Sequence, residues 1–249
     1  MNTRSLHIIG AGDLARRVAR LLLNEALIEG LDESTIRYET RRLKPESHGP
    51  SDFLLIAFPP GEDYAGDVAR ALQNWNKRGQ ALLVSSIGVH SESEGAWIDE
   101  ESPVLPQSPL VDAEKIATTE GAHVLRLAGL YDEARGPHIF WQKSAESNSW
   151  PDGFVNLVHR DDAAEVCARL LASSIPAATW LVSDACPLSR VQIARAWAEA
   201  RNLRPTHFSA SSGSLGKRVS AKKIREALPW EPRWKSFLEF CESLRLGAV

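Results

Sequence analysis

The sequence has few cysteines, little net charge and no long apolar run, and each shortage excludes a class of protein. Its three cysteines, Cys167, Cys186 and Cys241, are widely spaced and have no Cys-x-x-Cys pair or histidine-rich cluster. We therefore expect buried or half-buried thiols, with neither a disulfide framework nor a metal site. The formal charge of −3 provides no basic field for nucleic acid or an anionic membrane.

No stretch approaches the roughly 18 apolar residues that a membrane-spanning helix needs. The first residues enter a strand pattern directly, without the charged start and apolar core of a signal peptide. We expect a cytoplasmic protein that binds neither membranes nor nucleic acid.

Short apolar runs alternate with helical patterns through the first half of the chain. Fully apolar strands separated by helices are typical of a parallel sheet covered on both faces. We predict a Rossmann-type, doubly wound α/β core over residues 1–135 and a small C-terminal α/β lobe over 136–249, from which some segments return to the core. One core helix is expected around Asp67–Arg78. The predicted strands are Leu6–Ile9, Ile36–Thr40, Phe53–Phe58, Ala81–Ser86 and Ala122–Gly129.

A glycine loop follows the first strand. Gly10, Gly12 and Ala15 form the pattern G-x-G-x-x-A between this strand and a helix. Gly10 would permit the tight turn, Gly12 would let a pyrophosphate approach the backbone, and a small third residue would let the helix pack closely. Asp13 either repels phosphate or caps the helix and points outward. The loop and the helix start, including Asp13 and Leu14, are predicted to bind a dinucleotide.

The end of the second strand bears on the choice of dinucleotide. Glu39 could accept the ribose 2′-hydroxyl of NAD, as acidic residues at this position do. Thr40, Arg41 and Arg42 follow it directly. Because a guanidinium pairs with a 2′-phosphate through charge-assisted hydrogen bonds, the sequence favours NADP(H) over NAD(H).

Several motifs further along the chain resemble one known family. They are "LLVSSIGVHSE", "DEESPVLPQSPLVDAEKIA", "VLRLAGLYDEARGPH", "VNLVHRDDAAEVCARLL" and "GKRVSAKKIREALPWEPRWKSFLEFCESL". Together with the glycine loop they resemble the extended short-chain dehydrogenase/reductases, the NAD-dependent epimerase/dehydratase group, and in particular its atypical branch. The resemblance covers nearly the whole chain.

The catalytic residues of that family are incomplete here. The family uses a serine and a Tyr-x-x-x-Lys pair to move a proton to or from the substrate oxygen. Ser86 matches the serine, but the tyrosine position is Leu110 and the lysine position is Glu114. No Tyr-x-x-x-Lys occurs anywhere in the chain, and Lys115 is one step out of phase. The resemblance therefore does not imply the standard hydride-transfer mechanism.

Other site residues follow from the resemblance. Phe58, Pro59 and Ser85 end core strands where the family's loops border the cofactor. Asp112 and Glu114 could act as general bases if their pKa values were raised, and the alternative is that they are capping or surface charges. The substrate pocket is expected to include His90, Tyr131, Arg135 and His159, with His138 in the same loop region.

Two functions remain open after these observations. One is an NADP-dependent oxidoreductase or epimerase-like enzyme that acts on a small-molecule substrate through an altered proton relay. The other is a dinucleotide-binding or redox-sensing protein without turnover that acts through a partner. Many members of the group pair through helices, so a homodimer is one expected form, although no apolar stripe in the sequence marks the contact.

Overall fold

A computed structural model describes residues 3–40, 49–91, 94–144 and 146–247. The chain forms two compact units whose segments alternate along the sequence. The core unit contains Met1–Val89, Val104–Arg126 and Asp161–Trp180, and the second unit contains His90–Pro103, Leu127–Arg160 and Leu181–Val249.

The core unit is built on a six-stranded sheet. Its strands are β1 (Leu6–Ile9), β2 (Ile36–Glu39), β3 (Phe53–Ile56), β4 (Ala81–Ser86), β6 (His123–Leu127) and β11 (Thr179–Val182), in the order β11-β6-β4-β3-β1-β2. The pairs β1–β2, β1–β3 and β3–β4 are parallel. β1 and β3 are buried along their whole length, as expected for strands covered on both faces.

Within the described residues, four helices of the core unit accompany this sheet, namely α1 (Asp13–Asn24), α2 (Tyr64–Leu72), α3 (Pro109–Thr119) and α5 (Arg160–Ala172). Between α3 and α5 in the chain, α4 (Pro137–Ser144) belongs to the second unit. Between β3 and α3, a buried cluster that includes Leu54, Tyr64, Val68 and Ala113 forms the apolar core.

The second unit contains short strand pairs, α4 and the last three helices. The helices are α6 (Arg190–Arg201), α7 (Lys222–Ala227) and α8 (Phe237–Arg245). The strand pairs join β7 (Gly129–Tyr131) to β10 (Leu157–His159), β9 (Phe154–Val155) to β12 (Leu188–Ser189), β8 (Glu146–Ser147) to β13 (His207–Phe208) and β5 (Trp97–Ile98) to β14 (Arg218–Val219). An aromatic cluster that includes Tyr131, Trp197 and Phe240 forms the core of this unit.

The predicted fold class is confirmed, and several element bounds differ from the sequence prediction. β2 ends at Glu39 and β3 at Ile56, before the predicted ends at Thr40 and Phe58, and the helix predicted to reach Arg78 ends at Leu72. The helix expected around Asp67–Arg78 begins at Tyr64, because the Asp63 side chain accepts a hydrogen bond from the Gly66 N–H and caps the helix there. The strand expected at Ala122–Gly129 is two strands, β6 and β7, which belong to different sheets. None of the helices within the described ranges has the length and apolar character required to cross a bilayer.

Candidate functional site

The turn after β1 requires glycine at its first position. Gly10 has a φ of +103°, and a Cβ added to it would lie 2.5 Å from the carbonyl carbon and oxygen of Ala57. Its N–H donates to the Glu39 carbonyl oxygen at 2.8 Å. Because both the dihedral angle and the close backbone exclude a side chain, Gly10 fixes the tight turn that the sequence predicted.

The N-terminus of α1 is open at Gly12. This residue is the N-cap, with φ −72° and ψ 179°, and no side chain caps the helix. A Cβ added to Gly12 would meet nothing within 4 Å. The first turn of a helix presents backbone N–H groups and the positive end of the helix dipole, which together suit a phosphate. The residues at this turn therefore fit the pyrophosphate of a dinucleotide.

Asp13 does not cap α1. Its carboxylate lies 2.6 Å from Nε of Arg17, one turn along the helix, and Arg17 also pairs through Nη1 with Asp161 at the start of α5. Of the two roles predicted for Asp13, capping is therefore wrong. Because Arg17 offsets its charge, Asp13 repels an anion at the helix start less than a lone carboxylate would.

The carboxyl end of β2 holds Glu39 against the neighbouring strand. Its Oε2 lies 2.9 Å from Nε2 of His7, which is buried on β1. Thr40 follows as an exposed residue. Arg41 and Arg42, which carry the predicted preference for NADP(H), lie outside the described residues.

Two predicted cofactor-binding residues, Phe58 and Pro59, follow β3, and one of them lies in the core. Phe58 is buried, and its ring packs edge-on against Tyr64 with centroids 5.5 Å apart. Pro59 is exposed beside it. At this strand end Pro59, unlike the Phe58 side chain, is therefore open to a ligand.

Ser85 and Glu114 belong to a buried hydrogen-bonded network. The Ser85 hydroxyl donates to Glu114 Oε1 at 2.5 Å, and Arg126 Nη2 donates to Glu114 Oε2 at 2.8 Å. Glu114 and Arg126 are both less than a tenth exposed. Both carboxylate oxygens are engaged, so Glu114 holds α3 to β4 and β6 and has no free oxygen with which to act as a base.

The other positions of the expected proton relay are also occupied by residues that pack or pair. Leu110 is partly buried and packs against the apolar core. Asp112 and Lys115 are exposed and pair with each other at 3.1 Å. Ser86 is half-buried at the end of β4, and its Oγ accepts a hydrogen bond from the Gly88 N–H at 3.0 Å. Its own O–H is still a donor.

The second unit buries two of the four predicted pocket residues in one aromatic cluster. Tyr131 packs edge-on against His159, with centroids 5.3 Å apart, and against Phe240 at the same distance. Tyr131 is fully buried and His159 is nearly so. The β7–β10 pairing, which puts Tyr131 opposite His159, brings them together.

The two other predicted pocket residues, His90 and Arg135, are not part of that aromatic cluster. His90 is buried, with Nδ1 3.3 Å from the Pro103 carbonyl oxygen, and its own carbonyl accepts a hydrogen bond from Lys217 Nζ at 2.6 Å. Arg135 is exposed in a turn closed by Asp132. His138, from the same loop region, is buried, and burial lowers its pKa to about 4.

Sequence reasoning missed three residues that position this site. His7 holds Glu39, Arg17 holds Asp13, and Arg126 holds Glu114. A charged residue inside an otherwise apolar strand, as in "HVLRL" and "LHII", is the one signal that could have marked Arg126 and His7, because such a residue needs a buried partner.

No protein-family model and no curated protein matches the sequence. Among solved structures, a functionally unknown conserved protein from Silicibacter pomeroyi is 24% identical, with a TM-score of 0.78 over 99% of both chains. The dTDP-glucose 4,6-dehydratase of Bacillus anthracis, in complex with NAD, is 12% identical, with a TM-score of 0.74 over 96% of both chains. A human epimerase family protein, SDR39U1, with NADPH, is 11% identical, with a TM-score of 0.72 over 97% of this chain and 99% of its own.

The structural agreement with each of these proteins extends over almost the entire chain. The resemblance found in the motifs is therefore confirmed for the fold. The chain has a Rossmann-type fold, similar to that of the bacterial dTDP-glucose 4,6-dehydratase and the human epimerase family protein.

Proposed function

We propose that this protein binds NADP(H) at the glycine loop and does so without the tyrosine–lysine relay of the short-chain dehydrogenase/reductases. The observation that carries the proposal is the open start of α1. Gly12 leaves space above the backbone, no side chain caps the helix, and Gly10 fixes the turn that leads into it.

Each part of the cofactor has residues that suit it. The pyrophosphate would lie on the backbone of Gly12, Asp13 and Leu14, and the adenosine half would lie near Thr40 and Pro59 at the ends of β2 and β3. Both strand ends flank β1, where the strand order reverses, and ligands of doubly wound sheets bind at such a point. A bound nicotinamide would supply hydride transfer.

The preference for NADP(H) rests on the residues after β2. Arg41 and Arg42 supply two guanidiniums for a 2′-phosphate. Glu39, the residue that would favour NAD, is held by His7. Proteins of similar structure contain either cofactor, NAD in the bacterial dehydratase and NADPH in the human protein. The preference proposed for this chain therefore depends on its own residues.

The polar network around Glu114 favours binding without the family's standard proton transfer. Leu110 has no proton to exchange, and Glu114 is fully engaged with Ser85 and Arg126. A second candidate function, an oxidoreductase with an altered relay and a small-molecule substrate, is favoured by Ser86, whose O–H remains a donor at the end of β4. A redox-sensing role through a protein partner would need no such group.

Fluorescence titration with NADPH and NADH tests the proposal. We expect saturable quenching of tryptophan fluorescence, with NADPH at least tenfold tighter than NADH, since one charge-assisted hydrogen bond contributes about 1.5–3 kcal/mol. Arg41→Ala and Arg42→Ala are made as single variants. At least one of them is expected to weaken NADPH binding while leaving NADH binding unchanged.

The variant Gly12→Ala distinguishes an effect on cofactor binding from an effect on stability. A methyl group at position 12 meets no protein atom within 4 Å, so the melting temperature should stay within about 2 °C of the wild type. The same methyl lies where the pyrophosphate would approach, and binding of both cofactors should fall at least tenfold. Absence of binding in the wild type, or full binding by Gly12→Ala, would disprove the proposal.

The bound complex also distinguishes the two candidate functions. NADPH consumption with any carbonyl substrate from a screen, lost in Ser86→Ala but with cofactor affinity kept, would establish the oxidoreductase. Cofactor binding without turnover across the screen would favour the non-catalytic protein.

A further inference from the structure

The second unit contains a cavity that the proposed function does not use. Its volume is about 510 Å³, within the range of pockets that hold small molecules, roughly 300–1,000 Å³. All of the residues around it belong to the second unit, and none is a residue of the glycine loop. They are Trp97, Ala185, Ser220, Ala221, Lys222, Arg225 and Glu226.

The apolar wall of the cavity includes an exposed aromatic ring. Trp97 is 51% exposed, which is unusual for so large an apolar side chain. The guanidinium of Arg218 lies 5.2 Å from the centre of this ring, and Arg218 does not border the cavity. One part of the indole therefore carries a stacked cation while another part faces the cavity, where a flat apolar group could pack against it.

A strained alanine completes this wall. Ala185 has a φ of +58°, a conformation in which an alanine is less stable than a glycine. Its N–H donates to Ser183 Oγ, and the next N–H, of Cys186, donates to Asp184 Oδ1 at 3.0 Å. These bonds hold the loop in place, so the Ala185 methyl group stays at the cavity wall.

Arg225 brings an incompletely bonded guanidinium to the same cavity. Nη2 donates to the Asp184 carbonyl oxygen at 3.0 Å. Nε is buried, has no hydrogen-bond partner among the described residues and lies 3.9 Å from the Glu231 carboxylate, so it does not face the cavity. A guanidinium carries five N–H donors, and those of Nη1 make no hydrogen bond to the described residues. A ligand anion in the cavity would accept hydrogen bonds from these Nη1 donors.

The charges around the cavity favour an anion with a single charge. Lys222 and Arg225 are cationic and Glu226 is anionic, so the side chains that border the cavity sum to +1. Glu231, 3.9 Å from Arg225 Nε, does not border it. The only contact between opposite charges in this set is between Lys222 and Glu226, at 3.7 Å between exposed groups, which stabilises little. Lys222 can therefore turn toward a ligand.

We propose that this cavity binds a small planar aromatic monocarboxylate. The ring packs against Trp97 and the methyl groups of Ala185 and Ala221, and the carboxylate accepts hydrogen bonds from Arg225, with Lys222 nearby. Arg is the residue best suited to hold a carboxylate through two parallel hydrogen bonds.

Isothermal titration with 2-naphthoate tests this assignment on the full chain. We expect saturable binding with one site, and at least tenfold weaker binding of 2-naphthalenemethanol, which has the same ring system but no charge. Trp97→Ala and Arg225→Gln should each weaken naphthoate binding at least tenfold. Lys223→Gln, the same change of charge two residues earlier on α7 and away from the cavity, should leave binding unchanged.

Three results would overturn the proposal: no saturable binding of 2-naphthoate at millimolar concentration, equal affinity for the neutral alcohol, or unchanged affinity in Trp97→Ala. If Arg225→Gln fails to fold because it loses the bond to Asp184, Trp97→Ala still decides, since position 97 is exposed. Naphthoate should also bind Gly12→Ala as tightly as the wild type, so failure of this site and failure of the dinucleotide site can be told apart.

Discussion

At the scale of single residues, the Glu114 carboxylate shows how a position expected to act in catalysis serves the fold. Ser85 donates to one oxygen and Arg126 to the other, and all three side chains are buried. Removing one partner from such a network leaves a buried charge uncompensated, which costs about 3–5 kcal/mol. The network therefore stabilises the ends of β4 and β6 and does not supply a mobile proton.

A lysine at position 114, where short-chain dehydrogenase/reductases have their catalytic lysine, is therefore expected to destabilise the fold. Glu114→Lys places two cations against each other in the core, at Arg126 and position 114, and should lower the free energy of unfolding by about 3–5 kcal/mol. Urea denaturation measures the loss. Asp112→Lys, the same change of charge on the exposed face of α3, is the control and should cost no more than about 1–1.5 kcal/mol, through the lost pair with Lys115 and the helix dipole. Equal stability of the two variants would contradict the structural role of Glu114.

At the scale of elements, three of the described helices have a serine at the N-cap, and two of these serines, Ser189 and Ser236, cap their helix through the side chain. Ser189 accepts a hydrogen bond from the Gln192 N–H at 3.3 Å, and Gln192 Oε1 accepts from the Ser189 N–H at 2.8 Å, a capping box at the start of α6. Ser108 begins α3 without a side-chain cap, and Pro109 follows it. A local signal in the sequence, Ser189 followed three residues later by Gln192, marks the start of α6.

The difference between these serines gives a matched pair of variants. Ser189→Ala should lower the free energy of unfolding by about 1 kcal/mol, because the Gln192 N–H at the start of α6 loses the hydroxyl that accepts its hydrogen bond. Ser108→Ala should lower it by much less, since no cap is lost. Thermal and urea unfolding of both variants provide the measurement, and equal losses would show that the capping box does not contribute.

At the scale of the whole molecule, buried histidines link stability to pH. His123 and His138 are almost completely buried, and burial lowers the pKa of each to about 4. Nδ1 of His123 accepts from the Trp180 indole N–H at 3.0 Å, while His138 packs against Trp197 with centroids 4.4 Å apart. Both rings are therefore neutral in the folded protein at pH values where the unfolded chain, with a pKa near 6.5, binds a proton.

Stability should fall as the pH is lowered from about 6.5 to 4. In that window the unfolded state binds more protons than the folded state, so the free energy of unfolding decreases with decreasing pH, by up to about 3 kcal/mol for each histidine. His138→Phe should remove about half of this decrease. His207→Phe, the same change at an exposed histidine, should leave it intact. Melting temperatures measured across the window decide, and identical pH profiles for all three proteins would refute the assignment to His138.

The sequence by itself determined the fold class, the order of the core elements and the glycine loop. These features depend on local patterns, namely apolar strands, helical spacing, a capping serine and glycines at fixed separations, which lie within a few residues of one another. The absence of a tyrosine–lysine pair was equally a property of the sequence. The tertiary structure did not change these conclusions.

Only the tertiary structure decided which polar residues pair and which face a ligand. Arg126 is 12 residues from Glu114, and Arg17 is 144 residues from Asp161, so no local pattern could have assigned either pair. Phe58 was expected beside the cofactor and lies in the core, because its ring has Tyr64 to pack against. The cavity around Trp97 and Arg225 depends on segments more than 80 residues apart. Their meeting is decided by how the elements pack, which short-range sequence patterns do not encode.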